Sequence, residues 1–128
     1  MAKICTSVEQ SKKLVKLGLD VNTADAIYPW RELMKDYDSL YVPENMFDID
    51  EDDIPAWSLS ALLELLPQHI DSGLGWQKFG LDKGWNGGIY QVYYENKNSF
   101  IEKKSQTAVD AAFEMICWLL EQGFIKKG

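Results

Sequence analysis

Histidine and cysteine are almost absent from this chain: His69 is the only imidazole, and Cys5 and Cys117 are the only thiols. Zinc needs three or four clustered Cys, His or carboxylate ligands, so a metal centre built from these scattered residues is not expected, and nothing in the pattern implies a cofactor. His69 lies just past Pro67 and reads as a surface residue. No apolar run approaches the roughly 18 residues that a membrane span requires. The opening Met-Ala-Lys-Ile-Cys-Thr has too short an apolar stretch for a secretory signal. A cytoplasmic protein with reduced thiols is therefore expected. Lysine and arginine are missing from the stretch 36–77, which holds ten acidic residues, whereas the rest of the chain holds ten acidic against thirteen basic. The middle third thus carries all the excess behind the net charge of −7. Duplex nucleic acid is recognised by basic faces that displace counterions, and this charge pattern is the reverse.

What is present is the material of one globular domain. The 128 residues are 46% hydrophobic and 26% charged, with no linker, repeat or low-complexity tract, so residues 1–128 read as a single α+β domain. The strongest local signal is a helix over 107–122. Thr107 is its cap, Val109, Ala112, Phe113, Ile116, Leu119 and Leu120 recur at helical spacing, and Gly123 is its stop. Asp110, Glu114, Cys117 and Glu121 would then line the opposite, polar side. A first helix over 7–17 has Thr6 with Glu9, or Ser7 with Gln10, as a capping pair and Gly18 at its end. A third, over 58–66, starts at Ser58 and ends at Pro67. A three-stranded antiparallel meander follows from 76 to 103, with strands at 76–81, 89–95 and 100–103. One or two short strands, within 19–30 and at 39–42, would complete a small sheet with the helices laid on one face. Along 89–95, alternation sends Tyr90, Val92 and Tyr94 to one face and Ile89, Gln91 and Tyr93 to the other. If the second face is left uncovered, its aromatics mark an interface or a shallow groove.

The motifs that could carry chemistry are incomplete. Asp48-x-Asp50-x-Asp52 opens like a calcium loop, but Asp53 stands where that loop needs Gly, and Leu59 stands where it needs a bidentate Glu. A solvated acidic loop is the simpler reading. Ser58 reads as a cap, with no Gly-x-Ser-x-Gly turn to present it as a nucleophile. Gly84 to Gly88 lacks the Gly-Lys-Ser or Gly-Lys-Thr ending of a phosphate cradle and leads into a strand, which is hairpin chemistry.

The strings Ile54-Pro55-Ala56-Trp57-Ser58-Leu59-Ser60-Ala61-Leu62-Leu63-Glu64-Leu65-Leu66-Pro67 and Ala111-Ala112-Phe113-Glu114-Met115-Ile116-Cys117-Trp118-Leu119-Leu120, together with Thr23-Ala24-Asp25, resemble a group of small uncharacterised proteins found in gut bacteria, their prophages and other mobile elements. The resemblance implies a bacterial or phage setting and a short accessory protein, and it carries over no catalytic residue. Two expectations follow from the residues. In the first, a non-enzymatic binding or regulatory module presents its acidic stretch to a basic partner protein, through Asp48, Asp50, Glu51, Asp52 and Asp53, with Trp57 and Trp85 as exposed aromatic anchors. In the second, a small hydrolase or ligand-binding enzyme uses carboxylates and a tyrosine such as Glu64, Asp71 and Tyr93 in a cleft between sheet and helix. A homodimer through the broad apolar surface of the last helix, with Ala108, Ala111, Met115 and Trp118, fits either one.

Overall fold

A computed structural model of the chain describes residues 3–29, 40–42, 52–84 and 88–128. Among the described residues it is an α+β fold of three α-helices and two antiparallel sheets, one of two strands and one of four.

The helices form where local chemistry favours them. Helix α1 (Val8–Lys16) is capped by Ser7, whose hydroxyl accepts from the Gln10 amide at 3.1 Å while the Gln10 side chain accepts from the Ser7 amide at 3.0 Å. Of the two capping pairs open in the sequence, Thr6 with Glu9 loses because the Thr6 side chain is used inside the fold. It meets Ser11 Oγ at 2.8 Å and accepts from the Trp57 amide at 3.1 Å. Helix α2 (Leu59–Leu65) is capped by Ser58, and helix α3 (Ala108–Gln122) runs from its Thr107 cap to Gly123. Gly123 adopts a left-handed φ of 81° that favours glycine, and the Gly123 and Phe124 amides return to the Leu120 and Leu119 carbonyls.

The two-stranded sheet pairs β1 (Ala26–Tyr28) with β2 (Ile54–Ala56). Pro55 sits opposite Ile27 without cost to the ladder, because the Ile27 amide and carbonyl both point the other way, to Tyr41, at 2.7 Å each. That bridge is what the structure shows of the strand expected at 39–42, whose first residue lies outside the described part. The strand expected within 19–30 is confined to β1, preceded by a 3-10 turn at Val21–Thr23.

The larger sheet is a meander of β3 (His69–Asp71), β4 (Trp76–Lys83), β5 (Tyr90–Glu95) and β6 (Phe100–Ser105), each antiparallel to the next. Three of these strands match expectation, and β3 is an addition. Helix α3 packs on the face that carries Phe79, Val92, Tyr94 and Ile101, and α2 packs on α3. Val92 and Tyr94 are fully buried there, and the Tyr94 hydroxyl donates to the Pro67 carbonyl at 2.6 Å.

Two readings of α3 are corrected. Cys117 was expected on its polar side, but it is buried along with Ala111, Met115 and Ile116, on a flank that Lys13 of α1 and Lys103 of β6 approach. Nor does the helix present the broad apolar surface expected of it: Ala111 and Met115 are fully buried within one chain, and Ala108 and Trp118 are half-buried. At its start α3 is tied to the N-terminal segment. Lys3 Nζ reaches Asp110 at 2.6 Å and Gln10 at 2.8 Å, and the Gln10 amide group donates to Asp110 at 2.7 Å. Burial works to raise the Asp110 pKa, but hydrogen bonds from Lys3, Gln10 and Thr107, with the Lys3 charge, overcome it and hold it below the usual value. Among the described residues no helix is long and apolar enough to cross a membrane.

Candidate functional site

The residues expected to contact a partner divide into three groups. Asp52 is exposed and Asp53 half-buried, at the entry to β2. Asp48, Asp50, Glu51 and Trp85 lie outside the described residues. Trp57 is corrected from surface anchor to core: it is 0% exposed, and its indole N–H donates to Thr23 Oγ1 at 2.9 Å. Its amide and carbonyl are also engaged, both with Thr6. A large aromatic with every polar group satisfied in the interior is a packing residue.

Nor do the residues of the enzymatic reading converge. Glu64 lies on α2, which belongs to the helical side of the molecule, while Asp71 and Tyr93 lie on the opposite face of the large sheet and on non-adjacent strands. Glu64 lines an open cleft of about 490 Å³ together with Thr23, Asp25, Ser60, Ala61 and Leu65. Its other carboxylate, Asp25, is occupied: one oxygen accepts from the Ser58 amide at 2.8 Å and the other from the Ser58 hydroxyl. Ser58 Oγ in turn accepts from the Ala61 amide at 3.2 Å. The Asp25–Ser58 pair is thus a brace for the start of α2, with the serine oxygen already committed as a cap. The cysteines are free and buried. Burial pushes the Cys117 thiol up to about 11, and burial with the Asp25 charge raises Cys5. A nucleophilic thiol needs the opposite shift. Among the described residues, no group of three or more His, Cys, Asp or Glu is placed to share a metal ion.

The feature that stands apart is the second face of the large sheet, which the helices leave open. Strand alternation places His69, Asp71, Trp76, Lys78, Gly80, Asp82, Gln91, Tyr93, Glu95, Phe100, Glu102 and Lys104 there in cross-strand rows. The register sets Asp71 beside Trp76, and sets His69, Lys78, Glu95 and Phe100 in one row. Tyr93 lies across Gly80, whose missing Cβ leaves room for the ring: a Cβ there would meet the phenol carbon Cζ at 2.2 Å. Phe100 stands edge-on to Tyr93 at 5.4 Å between ring centroids, and Trp76 stands perpendicular to His69 at 6.3 Å. Hydrogen bonding with Asp82, then partial burial and the charges of Asp82 and Glu95, hold the Tyr93 phenol above its usual value. Trp76 is 71% exposed, Leu74 in the adjacent turn 60% and Phe100 51%.

That end of the sheet is rigidly built. Gln77, fully buried beneath Trp76's strand, accepts from Ser72 Oγ at 2.6 Å and donates to Ser99 Oγ at 2.8 Å. Ser99 donates to Asn96 Oδ1 at 2.8 Å, and Asn96 Nδ2 donates to the Leu74 carbonyl at 2.7 Å. One buried amide thus ties the β3–β4 turn to the β5–β6 turn. The sequence pattern had marked Tyr93's face as one that could be open. It puts Trp76 among the aromatics of the sheet but does not single out Leu74 or Phe100, because β3, the strand that fixes the sheet's edge, is not foreseen.

Compared with family models, with curated proteins and with solved structures, the chain matches none.

Proposed function

We propose that this chain is a small non-enzymatic binding or regulatory module that presents an acidic surface, formed by the stretch 36–77, to a basic surface on a partner protein. The observation that carries this reading is the segregation of charge: ten acidic residues and no lysine or arginine across that stretch. Where the stretch is described, Ile54, Ala56, Trp57, Leu62, Leu66 and Ile70 turn inward, while Tyr41, Val42, Leu74 and Trp76 stay exposed. Asp52, Glu64 and Asp71 turn outward. A one-signed surface of this kind raises the encounter rate with an oppositely charged partner and selects against acidic ones. With Trp57 in the core, the aromatic contribution to such docking falls to Trp85 and to the open sheet face. The proposed setting is the cytoplasm of a bacterium, with a host or phage protein as partner.

The test is capture from bacterial lysate at moderate salt, comparing the native chain with a variant carrying Asn for Asp48, Asp50, Asp52 and Asp53 and Gln for Glu51, read by mass spectrometry. A basic protein held by the native chain, lost by the variant and lost at high salt supports the reading. The same partner held by both removes the acidic loop from it. Capture of nothing by either chain argues against a binding module altogether.

A further inference from the structure

The open face of the large sheet offers more than apolar area: at its braced end an exposed indole and a carboxylate stand side by side. Trp76 and Asp71 are direct cross-strand partners, which sets their Cβ atoms about 5 Å apart on the same face. Asp71 uses Oδ1 to accept from the Gly73 amide at 2.9 Å, and among the described residues no cation pairs with it. We infer that the Trp76–Asp71 pair receives an arginine side chain of a partner protein, with Leu74 and Phe100 taking the apolar residues that flank it.

Three observations favour that occupant, and the inference rests on the reading of the chain as a binding module. The first is charge. The face carries Asp71, Asp82, Glu95 and Glu102 against Lys78 and Lys104; Lys104 is paired with Glu102 at 3.4 Å, and Lys78 stands opposite Glu95 in the register. Asp71, Leu74 and Trp76 also belong to the stretch that has no basic residue, so this end of the face continues the acidic surface. The second is chemical shape. A guanidinium is flat enough to stack on an indole while its edge donates to a neighbouring carboxylate, and a lysine ammonium cannot do both as well. The third is size. Four strands of about six residues make a face of roughly 400 Å², half of the approximately 800 Å² that each partner of a stable complex contributes. The face therefore suits a short segment better than a second copy of this chain.

The bracing supports the same conclusion. Leu74 is held out at the tip of a turn between Gly73 and Gly75, both at left-handed φ (96° and 89°), and Asn96 fixes its carbonyl. A buried glutamine is retained under this end where an apolar side chain would pack without needing partners. A contact surface fixed before binding loses less conformational freedom on docking.

The test uses acetyl-Leu-Arg-Leu-amide titrated into the 15N-labelled chain, followed by amide and indole resonances, with the citrulline twin as a neutral isostere. The expected result is a shift of the Trp76 indole and the Asp71–Trp76 amides. Binding should be about tenfold weaker for the citrulline peptide, about threefold weaker for Asp71→Asn, and lost in Trp76→Ala. Both substitutions are at exposed positions, and unchanged melting confirms the fold. Equal binding of the two peptides, binding that survives in Trp76→Ala, or shifts of the same resonances with protein concentration alone, as a second copy would cause, overturns the inference. A partner captured from lysate and still held by Trp76→Ala overturns it while leaving the binding-module reading intact.

Discussion

The two faces of the four-stranded sheet are made from the same strands and obey different rules. On the covered face, Val92 and Tyr94 are fully buried against α3, and each polar group there has a partner, as the Tyr94 hydroxyl has in Pro67. On the open face, charges of both signs alternate with aromatics, and Trp76 is largely exposed. The contrast between Trp57 and Trp76 shows that an aromatic residue type says little until its neighbours are known. One closes the junction of α1, β2 and the Thr23 turn, and the other caps a surface.

The largest expected difference follows from that pair. Trp57→Ala should lower unfolding stability by about 3–5 kcal/mol, since it removes a wholly buried ring and leaves the Thr23 hydroxyl without its indole donor. Trp76→Ala should stay within about 0.5 kcal/mol of the native chain. Urea midpoints of the two variants check this directly. A large loss on Trp76→Ala would mean that the open face is part of the core.

A second difference concerns protonation. The covered side holds groups that must stay neutral, and Cys117 is the clearest, with its thiol raised by burial from 9.0 to about 11. Because the folded value is the higher one, its contribution is complete below about pH 9. As pH climbs from there toward 11 the unfolded thiol ionises first, the unfolded state binds fewer protons, and stability falls. The effect is on the order of 2 kcal/mol. Cys5, Tyr28 and Tyr94 are raised as well, so the readout is a difference: native chain and Cys117→Ala, each unfolded in urea at pH 8 and pH 10.5. The native chain should lose more across that interval than the variant does.

What could be read from the sequence divides along sequence separation. The caps Ser7, Ser58 and Thr107, the stop at Gly123 and the β4–β5–β6 meander rest on signals within a few residues, and all are found. Strand β2 exists because Ile54–Ala56 pairs with Ala26–Tyr28, about thirty residues earlier, and Pro55 argued locally against a strand. Without β2, nothing local marks Trp57 as a core residue. Strand β3 has three residues in an exposed, buried, exposed pattern, too short for alternation to register. Without β3, neither the partner of Trp76 nor the edge of the open face could be placed. The charge segregation, by contrast, needs no pairing to be seen, and so it carried the functional expectation.

The smallest effect sharpens the comparison most, because it separates the open face from the fold beneath it. Gly80 is in ordinary extended backbone, so alanine is tolerated there conformationally, but the new Cβ would meet the Tyr93 ring, with Cζ at 2.2 Å, Cε2 at 2.3 Å and the hydroxyl at 2.5 Å. These atoms are the far end of a side chain on an uncovered surface, and the ring can swing away. Gly80→Ala should therefore cost less than about 1 kcal/mol, with the gain in strand preference offsetting part of the lost contact. It should also break the edge-on contact of Tyr93 with Phe100 and lower the Tyr93 phenol pKa by releasing Asp82. Ring-to-ring NMR contacts and the tyrosine titration read both changes. If the variant instead loses several kcal/mol, Tyr93 is clamped by packing from above, and the face taken here as open is covered.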